Sequence, residues 1–459
     1  MKSISGLILI LLLSSMFFSV EEEKYDPIAL YLTWQQDPAT TMTIDWHSLK
    51  DEQRTTVVEY RLKGEELWNN SFGSEHDFPY SERIIHRVEL TELQPDAKYE
   101  FRFGDDSKAY TFRTMPGQLT RPLRIAIGGD TMHHQDFFEE TNRQILKYDP
   151  DFTVVGGDIA YADAVPPEEQ GIRGDPQTRG RADPRPGLEE GDNLWYHWFD
   201  GYKNTLITES GRVIPMLVAI GNHEASPGYY YNDDDYEQTD EKRMENAPYF
   251  YSFFAMPGQP GYEVLDFGDY MSMILLDSDH TNPVDGEQTE WLEQVLAERQ
   301  DVAHVFPNYH VPAYPSVRDT DGRIPVRIRE HWVPLFEQYN VKIAFENHDH
   351  AYKRTHPIRD GQINHNNGVI YIGDGSWGTV PRGLGGRRMA VTYDAADKIE
   401  TQDLNPYGDE YWYIRRAESV MHFILLTIEG QHQHMFMVDS KGNIIDEYPE
   451  TPKVRRSSK

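Results

Sequence analysis

Between Ile28 and about Thr114, apolar and polar positions alternate in short runs. Ala29–Trp34, Met42–Trp46, Thr56–Leu62, Ile84–Leu90 and Lys98–Phe103 all follow this pattern, and Lys108–Arg113 closes the series. A period of two sends successive side chains to opposite faces, so each run predicts a strand with one buried face. Regularly spaced short strands over residues 25–115 predict an all-β sandwich of immunoglobulin or fibronectin type. Leu93-x-Pro95-x-x-x-Tyr99-x-Phe101 resembles the corner before a late strand in fibronectin type III domains. No cluster of ligand-type side chains falls in this region, which reads as a spacer or interaction module. Met115-Pro116-Gly117-Gln118 reads as the linker.

From Leu123 onward, apolar strands alternate with helical stretches, the signature of an α/β domain, here expected over residues 120–450. Asp136–Tyr148 is amphipathic, with Phe137, Ile145 and Leu146 as core contacts and Asp136 as N-cap. Further helices are predicted over Trp195–Ile207, Glu287–Arg299 and Ile328–Tyr339. Residues 162–193 and 225–250 read as loops. The first carries Arg173, Arg179, Arg181 and Arg185, which either meet an anionic substrate or are simply solvated. The acidic run Asp233–Asp235 is likewise solvated or cation-binding. Phe423–Glu429, Met435–Asp439 and Asn443–Tyr448 read as terminal strands.

Several apolar runs end in groups able to hold a cation. Leu123–Ile127 ends in Gly128-Gly129-Asp130, and Phe152–Val155 ends in Gly156-Gly157-Asp158. Val213–Ile220 ends in Gly221-Asn222-His223-Glu224, Val302–Asn308 in Tyr309-His310, and Val341–Phe345 in Glu346-Asn347-His348-Asp349-His350. Ligands at the C-terminal edge of strands in an α/β sheet sit where such proteins bind. Asp130, Asp158, Tyr161, Asn222, His310, His348 and His350 offer carboxylate, phenol, amide and imidazole donors that suit a pair of hard or borderline cations. Two such ions about 3.5–4 Å apart, bridged by one carboxylate, activate water and clamp phosphoryl oxygens.

Composition narrows the choice. Lys and Arg number 44 against 76 Asp and Glu, a net charge of −32, which argues against nucleic acid or an anionic membrane as a partner. There is no cysteine, so disulfides, thiolate ligands and cysteine nucleophiles are excluded. Residues 1–20 carry Lys2 and then an apolar run from Leu7 to Leu13, which predicts a secretory signal and a secreted, periplasmic or cell-surface protein. Membrane attachment is expected only if that segment stays uncleaved.

Gly129-Asp130, Gly157-Asp158-x-x-Tyr161, Gly221-Asn222-His223-Glu224, His310 and Asn347-His348-x-His350 stand in the order of the calcineurin-like metallophosphoesterases, which they resemble. Tyr161, three residues after the bridging aspartate, narrows the resemblance to purple acid phosphatases, as do Val311-Pro312-x-Tyr314 and Ala351-Tyr352-Lys353-Arg354. The resemblance implies a four-layer α/β/β/α sandwich behind the β-sandwich. It implies Fe(III) held by Asp130, Tyr161 and His350, with Asp158 bridging to a divalent Zn, Fe or Mn held by Asn222, His310 and His348. His223 is then the general acid and a substrate contact with Asn222 and Arg318, while a metal-bound hydroxide attacks phosphorus in line. The substrate expected is a small phosphomonoester. A phosphodiesterase or nucleotide pyrophosphatase is the alternative on the same metals, and an adhesion module with a relict site the alternative of another class. A homodimer is left open.

The chain departs from the family at Met132, where glycine is usual, followed by His133 and His134, which line the site or lie on a surface loop. Asn347 replaces the glycine before His-x-His, and its tolerance of left-handed angles is expected to preserve the turn. Where plant members place substrate-touching histidines after His310, this chain has Asp319 and Thr320 beside Arg318.

Overall fold

The computed structural model describes residues 24–167, 193–225, 238–384 and 409–450. The signal-like segment, the four loop arginines and the 233–235 acidic run all lie outside the described residues.

The first eight strands are β1 Ala29–Thr33, β2 Met42–Leu49, β3 Val57–Leu62, β4 Asn69–Phe72, β5 Ser74–Asp77, β6 Arg83–Leu90, β7 Lys98–Arg102 and β8 Tyr110–Arg113. They form two four-stranded sheets, ordered β1-β2-β6-β5 and β4-β3-β7-β8. The alternation does what it predicts: in β7, Tyr99 and Phe101 are buried while Lys98, Glu100 and Arg102 are not. Tyr99 Oη accepts the Gln94 amide at 2.8 Å, which closes the expected corner. β4 and β5 escape the pattern because their residues are polar and mostly exposed, and only pairing with β3 and β6 makes them strands.

Behind them come β9 Leu123–Gly128, α1 Gln135–Leu146, β10 Phe152–Gly156, α2 Leu194–Leu206, β11 Met216–Ala219, α3 Asp240–Asn246 and α4 Pro248–Phe253. There follow β12 Glu263–Phe267, β13 Met271–Leu275, α5 Glu287–Glu298, β14 His304–Asn308, α6 Arg323–His331, α7 Val333–Gln338 and β15 Ile343–Glu346. The chain ends with β16 Tyr352–Thr355, the small hairpin β17 Ile358–Arg359 and β18 Gln362–Ile363, then β19 Ile370–Gly373, β20 Ile414–Glu418, β21 His422–Glu429, β22 His432–Asp439 and β23 Ile444–Tyr448. One sheet runs β11-β10-β9-β21-β22-β23 and the other β12-β13-β14-β15-β19-β16-β20.

Strand alternation divides the core between these sheets. Met271, Met273 and Leu275 join the large central cluster with Phe345, Ile370 and Ile372, and Ile125, Ile127 and Leu425 enter it from the other sheet. Ile274, Ala344 and Tyr371 point the opposite way, into a second cluster with Leu292 of α5, Ile328 of α6 and Phe336 of α7. The result is the expected layered α/β arrangement behind a β-sandwich.

Four local expectations need correction. His134, not Asp136, is the N-cap residue of α1; Asp136 lies in the first turn, where its charge still suits the helix dipole. Phe138, not Phe137, is the buried phenylalanine of that helix. The helix expected over Ile328–Tyr339 is two helices, because Pro334 has no amide proton to continue the ladder and sits instead at the start of α7. The expected loop 225–250 contains α3 and α4: the Thr239 hydroxyl caps α3, and Pro248 opens α4, which buries Tyr249, Phe250, Tyr251 and Phe253.

The expected linker is also held fast. The Met115 amide donates to Pro38 O at 2.9 Å, and Tyr270 Oη donates to Pro116 O at 3.0 Å. The β-sandwich core and the central α/β core form one continuous cluster.

Candidate metal centre

Asp130 and Asp158 follow β9 and β10 with φ of +58° and +53°, and His348 and His350 follow β15 with φ of +81° and +56°. Left-handed backbone is uncommon outside glycine, though Asp and His tolerate it better than most, and its concentration at strand ends marks turns imposed by their surroundings. The Asp130 amide donates to Gly157 O at 2.9 Å and the Thr131 amide to Asp158 O at 3.0 Å, which locks the first two turns together. Glu224 locks the second to the third: its carboxylate accepts the amides of Asp158 at 2.8 Å, Ile159 at 2.7 Å and Gly221 at 2.8 Å.

Asn347 does not take the left-handed conformation expected of it; His348 and His350 do. Its side chain instead fills a space left by glycines. A Cβ on Gly156 would stand 1.9 Å from Asn347 Nδ2, and one on Gly129 2.6 Å from Asn347 Oδ1. Nδ2 donates to Tyr309 O at 3.0 Å, so this one amide wedges the two sheets together at the site.

All seven predicted ligands converge. Tyr161 Oη lies 3.0 Å from Asp130 Oδ1 and 3.0 Å from His350 Nε2, which is itself 2.9 Å from Asp130 Oδ1. His310 Nε2 lies 3.1 Å from Asp158 Oδ2, 3.2 Å from Asn222 Oδ1 and 3.0 Å from His348 Nδ1. One donor atom each from Asp130, Asp158 and His350 lie within 4.8 Å of one another, and so do those of Asp158, His310 and His348. Asp158 belongs to both groups.

The donors fit cations. His310 Nδ1 faces Gly156 O at 2.9 Å, so a proton there leaves the Nε2 lone pair free to bind metal. Asp130 and Asp158 are buried side by side. Burial pushes the Asp130 carboxyl up to about 6. For Asp158 burial acts in the same direction, but the charges of His310 and His223 override it and hold the carboxyl below the usual range. Burial would lower His310, yet Asp158 raises it to about 9. These acidic groups call for positive charge, which metal ions would provide.

His223 stands beside the cluster. Its amide donates to Asp158 Oδ1 at 2.8 Å, its Nε2 is 4.0 Å from Asp158 Oδ2, and its Nδ1 bonds Asp163. Burial opposes protonation, but Asp158 and Asp163 raise the imidazole to about 9. His133 packs on the site, its ring 4.4 Å from that of Tyr161 and 5.1 Å from that of His350. His134 meets Phe137 edge to face, with ring centres 4.8 Å apart, and Met132 is buried. Arg318 Nη1 donates to His348 O at 3.1 Å. Asp163, Glu224 and His280, whose ring lies 5.5 Å from that of His310, were given no role by the sequence. Glu224 closes the Gly221-Asn222-His223-Glu224 run, whereas Asp163 lies in a stretch without periodicity, where no local pattern reveals its partner.

Residues 27–114 match the family described as "Purple acid Phosphatase, N-terminal domain", and residues 123–352 match "Calcineurin-like phosphoesterase". Among curated proteins, the chain is 26% identical over 363 residues to purple acid phosphatase 13 of Arabidopsis thaliana, covering 75% of this chain and 60% of that one. It is 28% identical over 323 residues to purple acid phosphatase 15 of the same plant, covering 64% and 54%. An uncharacterized Mycobacterium tuberculosis protein is 25% identical over 318 residues, covering 60% and 51%. The chain thus spans between 51% and 60% of the length of the first curated relatives it matches. The solved purple acid phosphatase of yellow lupin, Lupinus luteus, shares the fold with a TM-score of 0.67 at 19% identity, over 91% of this chain and 73% of that one.

Proposed function

The chain belongs to the purple acid phosphatase family of calcineurin-like phosphoesterases, and on that premise we propose that it hydrolyses small phosphomonoesters at a dinuclear metal centre. The observation that carries this reading is Asp158, the residue common to both ligand groups. In this reading Asp130, Tyr161 and His350 hold Fe(III), Asn222, His310 and His348 hold a divalent Zn, Fe or Mn, and Asp158 bridges. Such a pair supplies Lewis acidity to the phosphoryl oxygens and a more acidic water.

The chain's own residues do the rest. Asp163 fixes His223 through Nδ1 and leaves Nε2 to carry a proton toward the centre. As the bond from phosphorus to the leaving oxygen breaks and water's oxygen takes its place, the leaving alkoxide takes that proton. Glu224 keeps the Asp158 and Asn222 turns in register, so general acid and bridging carboxylate stay aligned. In the same reading Arg318 and Asn222 contact the phosphoryl group. The same reading makes residues 1–20 an export signal, residues 25–115 a scaffold and residues 120–450 the catalytic unit. No helix of the described residues is long and apolar enough to cross a membrane.

The test is turnover of p-nitrophenyl phosphate against its bis-ester by purified, metal-analysed protein. Faster monoester hydrolysis with about two metals bound is expected. A preference for the diester would overturn the phosphomonoesterase assignment, and Tyr161→Phe protein that keeps a visible absorption band would remove Tyr161 from iron.

A further inference from the structure

In β16 the side chain of Lys353 is fully buried, as are those of Glu346 and Asp374 beside it. Its Nζ donates to Glu346 Oε2 and to Tyr314 O, each at 2.5 Å, and to Asp374 Oδ1 at 3.3 Å. Three acceptors match the three protons of the ammonium. We propose that Lys353, with Glu346 and Asp374, is a positioning group for the divalent metal site, setting the spacing between the turn that carries His310 and the turn that carries His348. This rests on the dinuclear reading above and adds residues that touch neither metal nor substrate.

The connections run outward from that ammonium. Glu346 ends β15, two residues before His348. Its Oε1 accepts Tyr309 Oη at 2.6 Å and the Ala313 amide at 2.7 Å, on either side of His310 in the chain. Asp374 follows β19; its amide donates to Glu346 O at 2.7 Å, and its Oδ2 accepts the Ser316 hydroxyl. Asp349, fully buried between His348 and His350, takes the amides of Ser316 at 2.8 Å, Val317 at 2.7 Å and Arg318 at 3.2 Å. Residues 309–318 are in this way fastened to the turns after β15 and β19. His310 and His348 both ride on the fastened turns. On the iron side only His350 does, since Asp130 and Tyr161 follow β9 and β10 in the other sheet.

Stability alone does not call for such a cluster. Withdrawing these charges from water is unfavourable, their mutual attraction roughly offsets it, and apolar side chains of the same volume would hold the fold as well. What the charges add is a fixed geometry. An ammonium with three acceptors in set directions allows one spacing of the loops it joins, whereas apolar packing tolerates several. His310 Nε2 and His348 Nδ1 stand 3.0 Å apart, and a cation bound by both depends on that spacing.

The experiment titrates iron-loaded full-length protein with Zn(II) against a chelator and measures bound iron alongside. Glu346→Gln keeps an oxygen for Tyr309 and Ala313 but sets an amide against Lys353 Nζ, donor facing donor. Its Zn(II) affinity is expected to fall about tenfold or more while its iron content holds, a split that general loosening of the fold would not give. The triple variant Lys353→Met, Glu346→Gln, Asp374→Asn removes all three charges. It is expected to melt close to the unmodified protein and still to bind Zn(II) about tenfold more weakly. Whichever of the two variants folds decides the point. Zn(II) affinity within twofold of the unmodified protein overturns the proposal, and so does parallel loss of zinc and iron. Failure of both variants to fold would make the cluster a stability element and overturn it too. Protein that shows the expected split yet hydrolyses no phosphoester would sink the hydrolytic reading alone.

Discussion

His47 is fully buried in β2 among the rings of Tyr31, Phe78, Phe199 and Phe253, and among the described residues neither ring nitrogen has a hydrogen-bond partner. Burial, aided by the charges of Arg83, His86 and Arg87, holds its pKa well below 6.5. The folded protein therefore keeps His47 neutral while the unfolded chain takes a proton near 6.5. Stability is intact above that pH and falls below it, by about 1.4 kcal/mol per pH unit for one proton. His47→Phe should stabilise the protein by about 1 kcal/mol at pH 7.5 and by more at pH 5, read from denaturant midpoints; an equal effect at both pH values would refute this. Asp163 is a positioning residue for His223, so Asp163→Asn should lower kcat by roughly 10- to 100-fold. The loss should be larger for an alkyl phosphate than for p-nitrophenyl phosphate, whose leaving group hardly needs the proton; equal losses would point to general damage. The seven candidate ligands were legible because each ends a strand or follows one closely. Asp163 and Asp349 were not, because their partners are reached only through left-handed turns that no periodicity reveals.

At the level of elements, alternation located the long strands, and it failed where pairing rather than burial makes the strand, as in β4 and β5. It also missed the break between α6 and α7, since an amphipathic pattern continues across Pro334 while the hydrogen bonds cannot. The paired glycines ending β9 and β10 read as tight turns, yet Gly129 and Gly156 answer to close approach by Asn347. Gly156→Ala should cost about 1–3 kcal/mol and weaken metal binding, because its methyl would overlap Asn347 Nδ2. Adding Asn347→Gly should recover part of both losses, measured by thermal melting and metal titration. A Gly156→Ala protein with unaltered melting and metal affinity would remove the wedge.

For the molecule as a whole, no pattern along the chain reveals how the two β-rich parts meet. Arg87 Nε donates to Asp45 Oδ1 at 2.6 Å within the front sandwich, while its Nη2 donates to Phe253 O at 2.7 Å in α4. Tyr31 Oη donates to the same carbonyl at 3.1 Å, and Lys203 Nζ of α2 donates to Pro27 O at 2.6 Å. Arg87→Ala would strand the buried Asp45 and should cost about 3–5 kcal/mol. Loss of activity and loss of tertiary circular dichroism should then shift together to one lower temperature, as they should coincide in the unmodified protein. Two separate transitions would show that the parts unfold independently.

Phe199 and Phe253 belong to the rear part, yet they complete the floor under the front one. Anyone trimming the chain near residue 120 to obtain a leaner catalyst would uncover an oily wall, and the trimmed protein should clump. Swapping in a foreign front module would demand re-tailoring that wall, so the two parts are bound to change as a matched set.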